Sequence, residues 1–388
     1  MRILGMISGT SHDGIDCAVV EFTEQNGAVT GTLRYETSVP YRPELRKRLS
    51  AALPPTPTTL SEICQLDTLI GQAFADAAEA ATTAVGGVDA VSSHGQTVYH
   101  WVDGDRARGT LQIGQPAWIA ERIQAPVVSD ARIRDITAGG HGAPLVSFLD
   151  DLLLRGHAGT AAALNLGGIS NMTVITGDHV TAYDIGPANA LIDAVIVAHH
   201  LTPHGYDDGA RIAQSGRVDD ALLTQLLSDP YYARPTPKST GKEHFHLGYV
   251  QEQLAVLGHP VDTVDLVATL TELTVRTIIA QVVQQGVSFL VVSGGGCRNP
   301  LMLQGLRQGL PGVEVVLSDE LGVPTESKEA ILFALIGWCT LHGVPAIVPS
   351  ATGARVARIL GTITPGAGPL IMPTPVTAIT SLTLTASQ

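Results

Sequence analysis

The 388-residue sequence predicts an α/β protein of two domains. Strand-like apolar runs alternate with helical ones along the chain. A strand, a small polar turn and a returning strand occur near 3–22 and again near 161–176. With 45% hydrophobic and 15% charged residues, the chain can bury a large core. The repeated strand–turn–strand unit implies an internal duplication, one copy opening each domain.

Residues 2–7 and 15–22 read as strands around the turn SGTSHDG. RPELRKRLSAAL reads as a helix, and PPTPTT breaks it. Thr59 and Glu62 form a T-x-x-E capping box that opens an Ala-rich helix running to about Val85. VDAVSSHGQTV reads as a buried strand running into a polar turn. TLQIGQPAWIAERIQAPVVSDAR reads as turn, helix and strand, and GAPLVSFLDDLLLRG as an amphipathic helix. TAAALNLGGISNMTVITGDHVTAYDIGP repeats the opening pattern around GGISN. Asp265 reads as the cap of a helix to about Gln285. The strand SFLVV follows, and then SGGGCRNPLML opens a helix. From Ile359 onward there is no charged residue, and the Thr-rich tail reads as extended or loosely ordered.

A net charge of −13 without a run of Lys or Arg argues against nucleic acid or an anionic membrane as partner. An anionic small molecule remains open, because a site needs only local positive potential. Cys17, Cys64, Cys297 and Cys339 form no C-x-x-C pair and read as buried free thiols in a reducing compartment. The residues before Ser8 are too few for a signal peptide. AILFALIGWCTLHGVPAIV is broken by His342, Gly343 and Pro345, so it reads as a buried helix plus a loop. A cytoplasmic protein is expected. No H-x-x-x-H or H-E-x-x-H pattern occurs, and adjacent His199 and His200 point to different sides of a helix, so no histidine metal site is expected.

Four polar turns follow apolar strands. In SGTSHDG, glycine amides and hydroxyls can hold an anion, and Asp13 can hold hydrated Mg²⁺ or orient water. The same residues also make an ordinary hairpin loop. SGGGCRNP has the context for nucleotide phosphates or ribose, or for a tight helix–strand crossing. Asn299 stands where G-x-G-x-x-G needs its third glycine, and the Walker pattern is absent, which weakens a dehydrogenase reading. SSHGQT and NLGGISN are the other two. Asp184 is a general base or a turn residue. Arg132 is a carboxylate clamp or half of a surface ion pair. Glu329 favours a helix dipole or hydrogen-bonds a polar substrate.

GMISGTSHDGID closely resembles the N-terminal signature of the anhydro-N-acetylmuramic acid kinases, G-x-M-S-G-T-S-x-D-G-I-D. SSHGQTVYH, TLQIG, DITAGGHGAPLV, NLGGISN, DIGPANALID, PKSTGKEHF, DLVATLTELT, SGGGCRNPLM and SATGARV resemble later family motifs, in order, from about Leu4 to Gly361. The resemblance implies the sugar kinase/Hsc70/actin-like fold, a duplicated ribonuclease H-like arrangement. Its two α/β domains each have a mixed five-stranded sheet and close on ATP in a central cleft. Domains of about 1–140 and 141–349 are expected, with about 350–388 packing back on the first.

The resemblance assigns Ser8, Gly9, Thr10, Ser11 and Asp13 to the first phosphate loop, with Asp13 holding Mg²⁺ through water. It assigns Asn165, Gly167, Gly168 and Asn171 to the second phosphate loop, and Gly294, Gly295, Gly296 and Asn299 to the adenosine loop. Arg132, Glu329, His94, Gln96 and Thr97 fall at the sugar. Asp184 is implied as the base for a water that opens 1,6-anhydro-N-acetylmuramic acid, whose freed 6-oxygen takes the γ-phosphoryl group of ATP. A homodimer is implied as well. Ala131, His141 and Ile185 stand where the family more often has Phe, Gln and Thr, which bears on substrate positioning. The competing readings are another sugar or acid kinase of the same fold, or a non-catalytic actin-like nucleotide-binding protein.

Overall fold

The computed structural model describes residues 1–9, 12–241 and 243–386. In chain order the strands are β1 (Arg2–Ser8), β2 (Gly14–Gln25), β3 (Ala28–Pro40), β4 (Ala90–Asp103), β5 (Arg106–Ile113), β6 (Val127–Ser129), β7 (Thr160–Leu166), β8 (Ile169–Thr176), β9 (His179–Pro187), β10 (Val287–Ser293), β11 (Glu314–Leu317), β12 (Thr362–Thr364) and β13 (Ser381–Ala386). They make two sheets in two compact units. One unit is Met1–Leu153 with Leu321–Gln388, and the other is Leu154–Glu320.

The first sheet runs β12-β6-β4-β1-β2-β3-β13, with β5 paired to β4. Its first three strands form an antiparallel meander, β4 lies parallel to β1, and β6 parallel to β4. The second sheet runs β11-β10-β7-β8-β9. There β7, β8 and β9 form the meander, β10 lies parallel to β7, and β11 parallel to β10. Strand for strand the orders agree. The repeat read from two hairpins is therefore a duplicated ribonuclease H-like topology, the two-domain sugar kinase/Hsc70/actin-like fold.

In the first unit the helix Leu60–Val85 belongs to one apolar cluster and the helix Lys328–His342 to another. Thr59 caps the first of these as its capping box predicts, accepting from the Glu62 amide at 3.1 Å. The helix Lys328–His342 is buried along almost its whole length. It packs so tightly that a Cβ on Gly5 of β1 would collide with the backbone of Ala330 and Ala334. Lys328 and Asp150 form a buried ion pair at 2.6 Å that joins this helix to the helix Val146–Leu154. These contacts place 321–349 and 141–153 with the first unit, so the units differ from domains bounded at 140 and 349.

The core of the second unit is built on the helix Thr263–Gln284. This helix is long and apolar enough to cross a membrane, yet Leu266, Leu270, Leu273 and Ile278 are buried in that core. Two local expectations differ from what is seen. The helix begins after Asp262, and Asp265 instead accepts the Arg217 amide at 2.7 Å. SSHGQT is no turn, because β4 continues through it with a bulge at Gly95 and pairs with β5 from Gln96 to Asp103. Of the two readings of the tail, extended holds where β12 pairs with β6 and β13 with β3 to supply both edges of the first sheet.

Candidate active site

In the first unit the turn after β1 is held from inside. Ser8 Oγ lies 2.7 Å from the Gly14 carbonyl and 2.6 Å from Gln96 Oε1. Gln96 Nε2 donates to the carbonyls of Gly9 and Thr97, both at 3.2 Å. Both side chains are buried and shape the turn from within. Thr97 Oγ1 accepts from Gln112 Nε2 at 3.0 Å. The Tyr41 amide donates to the Asp13 carbonyl at 3.0 Å, and Asp13 is exposed. Thr10 and Ser11 lie outside the described residues.

The same unit holds the expected sugar residues His94, Arg132 and Glu329. Arg132 Nε lies 2.8 Å from His94 Nε2, and its Nη1 donates to the Gly142 carbonyl at 2.7 Å. Burial lowers the Arg132 pKa, while Glu329 and Asp135 act to raise it. Glu329 is accessible but closely ringed by protein, which pushes its carboxyl up against the opposing influence of Arg132. The DITAGGHGAPLV loop is fastened by Asp135, which is fully buried. Its carboxylate accepts from the Gly142 amide at 2.6 Å and from Thr352 Oγ1 at 2.8 Å. Thr352 belongs to the SATGARV motif, so the two family motifs meet there.

In the second unit Asn165, Asn171 and Asp184 are direct cross-strand partners on β7, β8 and β9. Such residues stand side by side on one face. The turn between β7 and β8 is Gly167-Gly168. Its carbonyls face the start of the helix Asn189–Ala198. The Gly167 carbonyl accepts from the Asn189 amide at 3.1 Å, and the Gly168 carbonyl from the amides of Ala188 and Ala190 at 2.9 and 3.0 Å. Asn189 Nδ2 adds bonds to Gly167 and Leu166 carbonyls at 2.8 and 3.2 Å. With the carbonyls turned inward, the Gly167 and Gly168 amides find no acceptor among the described residues. Amides exposed in this way can donate to an anion. Asn189 was not singled out from the sequence, although it lies inside DIGPANALID.

The SGGG loop rests on the end of β7. Gly294 has φ +91°, and a Cβ there would collide with the Asn165 side chain. A Cβ on Gly296 would meet Leu166, whereas Gly295 faces open space. Asn299 is spent on a helix cap. Its side-chain oxygen accepts from the amides of Leu301 and Met302 at 3.0 and 3.2 Å. The cap uses its oxygen and leaves the side-chain Nδ2 to donate elsewhere.

Asp184 sits at a β-bulge. Ser170 pairs with Gly186 and Asn171 with Asp184, so Ile185 is the extra residue. The Asp184 amide leaves the ladder and donates to the Lys238 carbonyl at 2.9 Å. Its carbonyl accepts from the Tyr231 hydroxyl at 2.7 Å. Its Oδ2 accepts from Ser239 Oγ at 3.1 Å and the Thr240 amide at 3.0 Å. Oδ1 has no protein partner among the described residues. Burial raises the pKa, the Thr240 and Ser239 hydrogen bonds pull it down, and the charge of Glu243 adds to the rise. Ser239, Thr240, Lys238 and Tyr231 are functional neighbours that the sequence did not assign, although the first three lie in PKSTGKEHF.

Ile185 is fully buried in the second core and Ala131 is 5% exposed in the first, so those two departures fill cores. His141 is exposed, and its amide donates to the Thr352 carbonyl at 2.8 Å. Among the described residues no group of three or more His, Cys, Asp or Glu could hold a metal ion by itself.

The chain is 49% identical over 381 residues to an anhydro-N-acetylmuramic acid kinase of Streptomyces coelicolor, covering 97% of this chain and 96% of that one. It is 47% identical over 377 residues to one from Rhodococcus erythropolis, covering 94% of each. A ROK family glucokinase from Streptomyces griseus, solved with glucose and AMPPNP, is 15% identical with a TM-score of 0.36. That alignment covers 86% of this chain and 98% of the glucokinase. The family described as anhydro-N-acetylmuramic acid kinase matches residues 1–366, and with relatives at this identity over nearly their whole length the chain belongs to that family.

Proposed function

We propose that this chain converts 1,6-anhydro-N-acetylmuramic acid and ATP to N-acetylmuramic acid 6-phosphate and ADP, with Asp184 as the base. Family membership supports the reaction. The observation that carries the residue's role is the tethering of one Asp184 oxygen by Ser239 and Thr240 while the other is left for water.

Asp184 takes a proton from water as the water oxygen bonds to the anomeric carbon. The bond from that carbon to O6 breaks, and its electron pair stays on O6. O6 attacks the γ-phosphorus, the bond to the bridging oxygen breaks, and ADP leaves. A base whose pKa is raised toward neutrality accepts the proton more readily while it is still ionised. The amides of Gly167 and Gly168 hold phosphate oxygens, as does the turn after β1. Arg132 takes the lactyl carboxylate of the sugar, and Glu329 accepts from a sugar donor.

Mg²⁺ and a cytoplasmic setting belong to the same reading. Burial raises the Asp16 pKa, and the charges of Asp13 and Glu326 raise it further, so the first turn has acidic surroundings. Oxygen ligands of that kind fit a hydrated Mg²⁺, which Asp13 would hold through water. When bound, the ion neutralises charge on the phosphoryl group being transferred.

The test is direct. Incubation with Mg-ATP and the anhydro sugar should yield sugar 6-phosphate and ADP, and phosphorylation of glucose or glycerol instead would overturn the substrate assignment. Asp184→Asn should keep nucleotide binding while turnover falls by at least ~10²-fold. Near-normal turnover in that variant would remove Asp184 as base.

A further inference from the structure

His94 was expected to touch the sugar, but both of its ring nitrogens are engaged within the protein. An arginine Nε–H can only donate, so His94 Nε2, 2.8 Å away, must be the bare acceptor. Nδ1 lies 2.9 Å from the Gly95 carbonyl, so it must carry the hydrogen. The ring is the neutral Nδ1–H tautomer. It is 5% exposed and tilted against Phe333, with ring centres 4.9 Å apart. Burial and the Arg132 charge keep its pKa well below the ordinary histidine value. The other charged or titratable groups around the pair include His100, His141, Glu329 and Asp135, with Asp67 and Asp130 lining the same pocket as His94.

The two bonds decide what Arg132 can offer. Nε is used on His94, and one Nη1 hydrogen on the Gly142 carbonyl. Nη2 has no protein partner among the described residues. A carboxylate that seeks a paired interaction finds the side edge, Nε with Nη2, already closed. The outer end of the guanidinium remains. A histidine in the wrong tautomer, or an imidazolium, would set N–H against N–H and turn the fork away.

We propose that His94 is a positioning residue: by accepting from Arg132 Nε it aims the outer end of the guanidinium at the carboxylate of the anhydro sugar, and the pair together selects an acidic over a neutral sugar. The inference rests on the reading of Arg132 given above.

His94→Phe keeps an aromatic ring against Phe333 and removes the acceptor, and His94→Gln restores an acceptor. In His94→Phe the KM for 1,6-anhydro-N-acetylmuramic acid should rise roughly tenfold, the scale of one lost hydrogen bond to a charged group, with kcat and the KM for ATP little changed. His94→Gln should recover much of the loss. Nitrogen-15 spectra of the wild-type imidazole should report the Nδ1–H tautomer, without titration, from about pH 8 to 6.

An unchanged sugar KM in His94→Phe would overturn the proposal. So would a parallel rise in the ATP KM, or an Nε2–H or doubly protonated ring. Arg132→Ala separates the two layers. If that variant leaves the sugar KM unchanged, the carboxylate role of Arg132 is wrong. If it raises the KM while His94→Phe does not, only the positioning role of His94 falls.

Discussion

Removing the Ser239 hydroxyl should move the acidic limb of the kcat/KM profile for the sugar upward in pH. Asp184 Oδ2 accepts from Ser239 Oγ and from the Thr240 amide, and both bonds favour the ionised carboxylate. Burial and the Glu243 charge act the other way. Ser239→Ala deletes one of the two stabilising bonds and leaves the raising influences in place, so the pKa must go up. A hydrogen bond to a charged group contributes about 1.5–3 kcal/mol when well buried. Asp184 is only half-buried, so solvent screening reduces this to about 1 kcal/mol, or roughly 0.7 of a pH unit. As the proposed base, Asp184 acts in its ionised form, so activity is lost below the limb while the plateau at higher pH is retained. ADP release measured from about pH 5 to 8.5 gives the profile, and Ser239→Thr, which keeps a hydroxyl, should stay close to wild type. A limb that stays in place or moves down would refute the reasoning. An equal loss at every pH would mean that Ser239 sets geometry and not charge.

Two further outcomes follow from packing. Lys328→Met leaves Asp150 buried without its 2.6 Å partner and should cost about 3–5 kcal/mol in denaturant unfolding, with Asp150→Leu in the same chain recovering much of it. A neutral single variant would mean that the pair does not fasten the helix Lys328–His342 to the first unit. Gly294→Ala forces φ +91° on a residue with a Cβ and drives that carbon into Asn165, a strain of about 1–3 kcal/mol. If the SGGG loop holds the adenosine, the KM for ATP should rise about tenfold with the sugar KM little changed, and initial rates with each substrate varied would show an unchanged ATP KM if it does not.

Local chemistry carried much of the fold into view. The Thr59 cap, the strands around SGTSHDG and GGISN, and the buried helix near residue 335 each depend on residues close together in the chain. What depended on distant partners was hidden. Polarity made SSHGQT look like a turn, yet pairing with β1 before Gly95 and with β5 after it carries the strand through. The uncharged tail left extended and loose readings both open because nothing local holds it, and the extended one is chosen by pairing with β6 and β3, far back in the chain. The helix Lys328–His342 follows the second sheet in sequence but packs on the first, through alanines facing Gly5 that no periodicity reveals.

The site divides along the same line. The turns could be recognised because their glycines, serines and asparagines are contiguous. Their working parts could not, because each turn is set by a side chain from elsewhere: Gln96 behind Ser8, and Asn189 behind Gly167. Asp184 is the sharpest case. Nothing near it in sequence explains its orientation. Ile185 makes the bulge that frees its amide, and the Ser239 hydroxyl that holds its carboxylate comes from 55 positions away. This bears on the departure at 185. Its side chain is fully buried in the core, so its contribution to Asp184 is the backbone bulge, which isoleucine and threonine can both form. The orientation of the carboxylate is then set by residues 231–240, and a change there should affect turnover more than a change at 185.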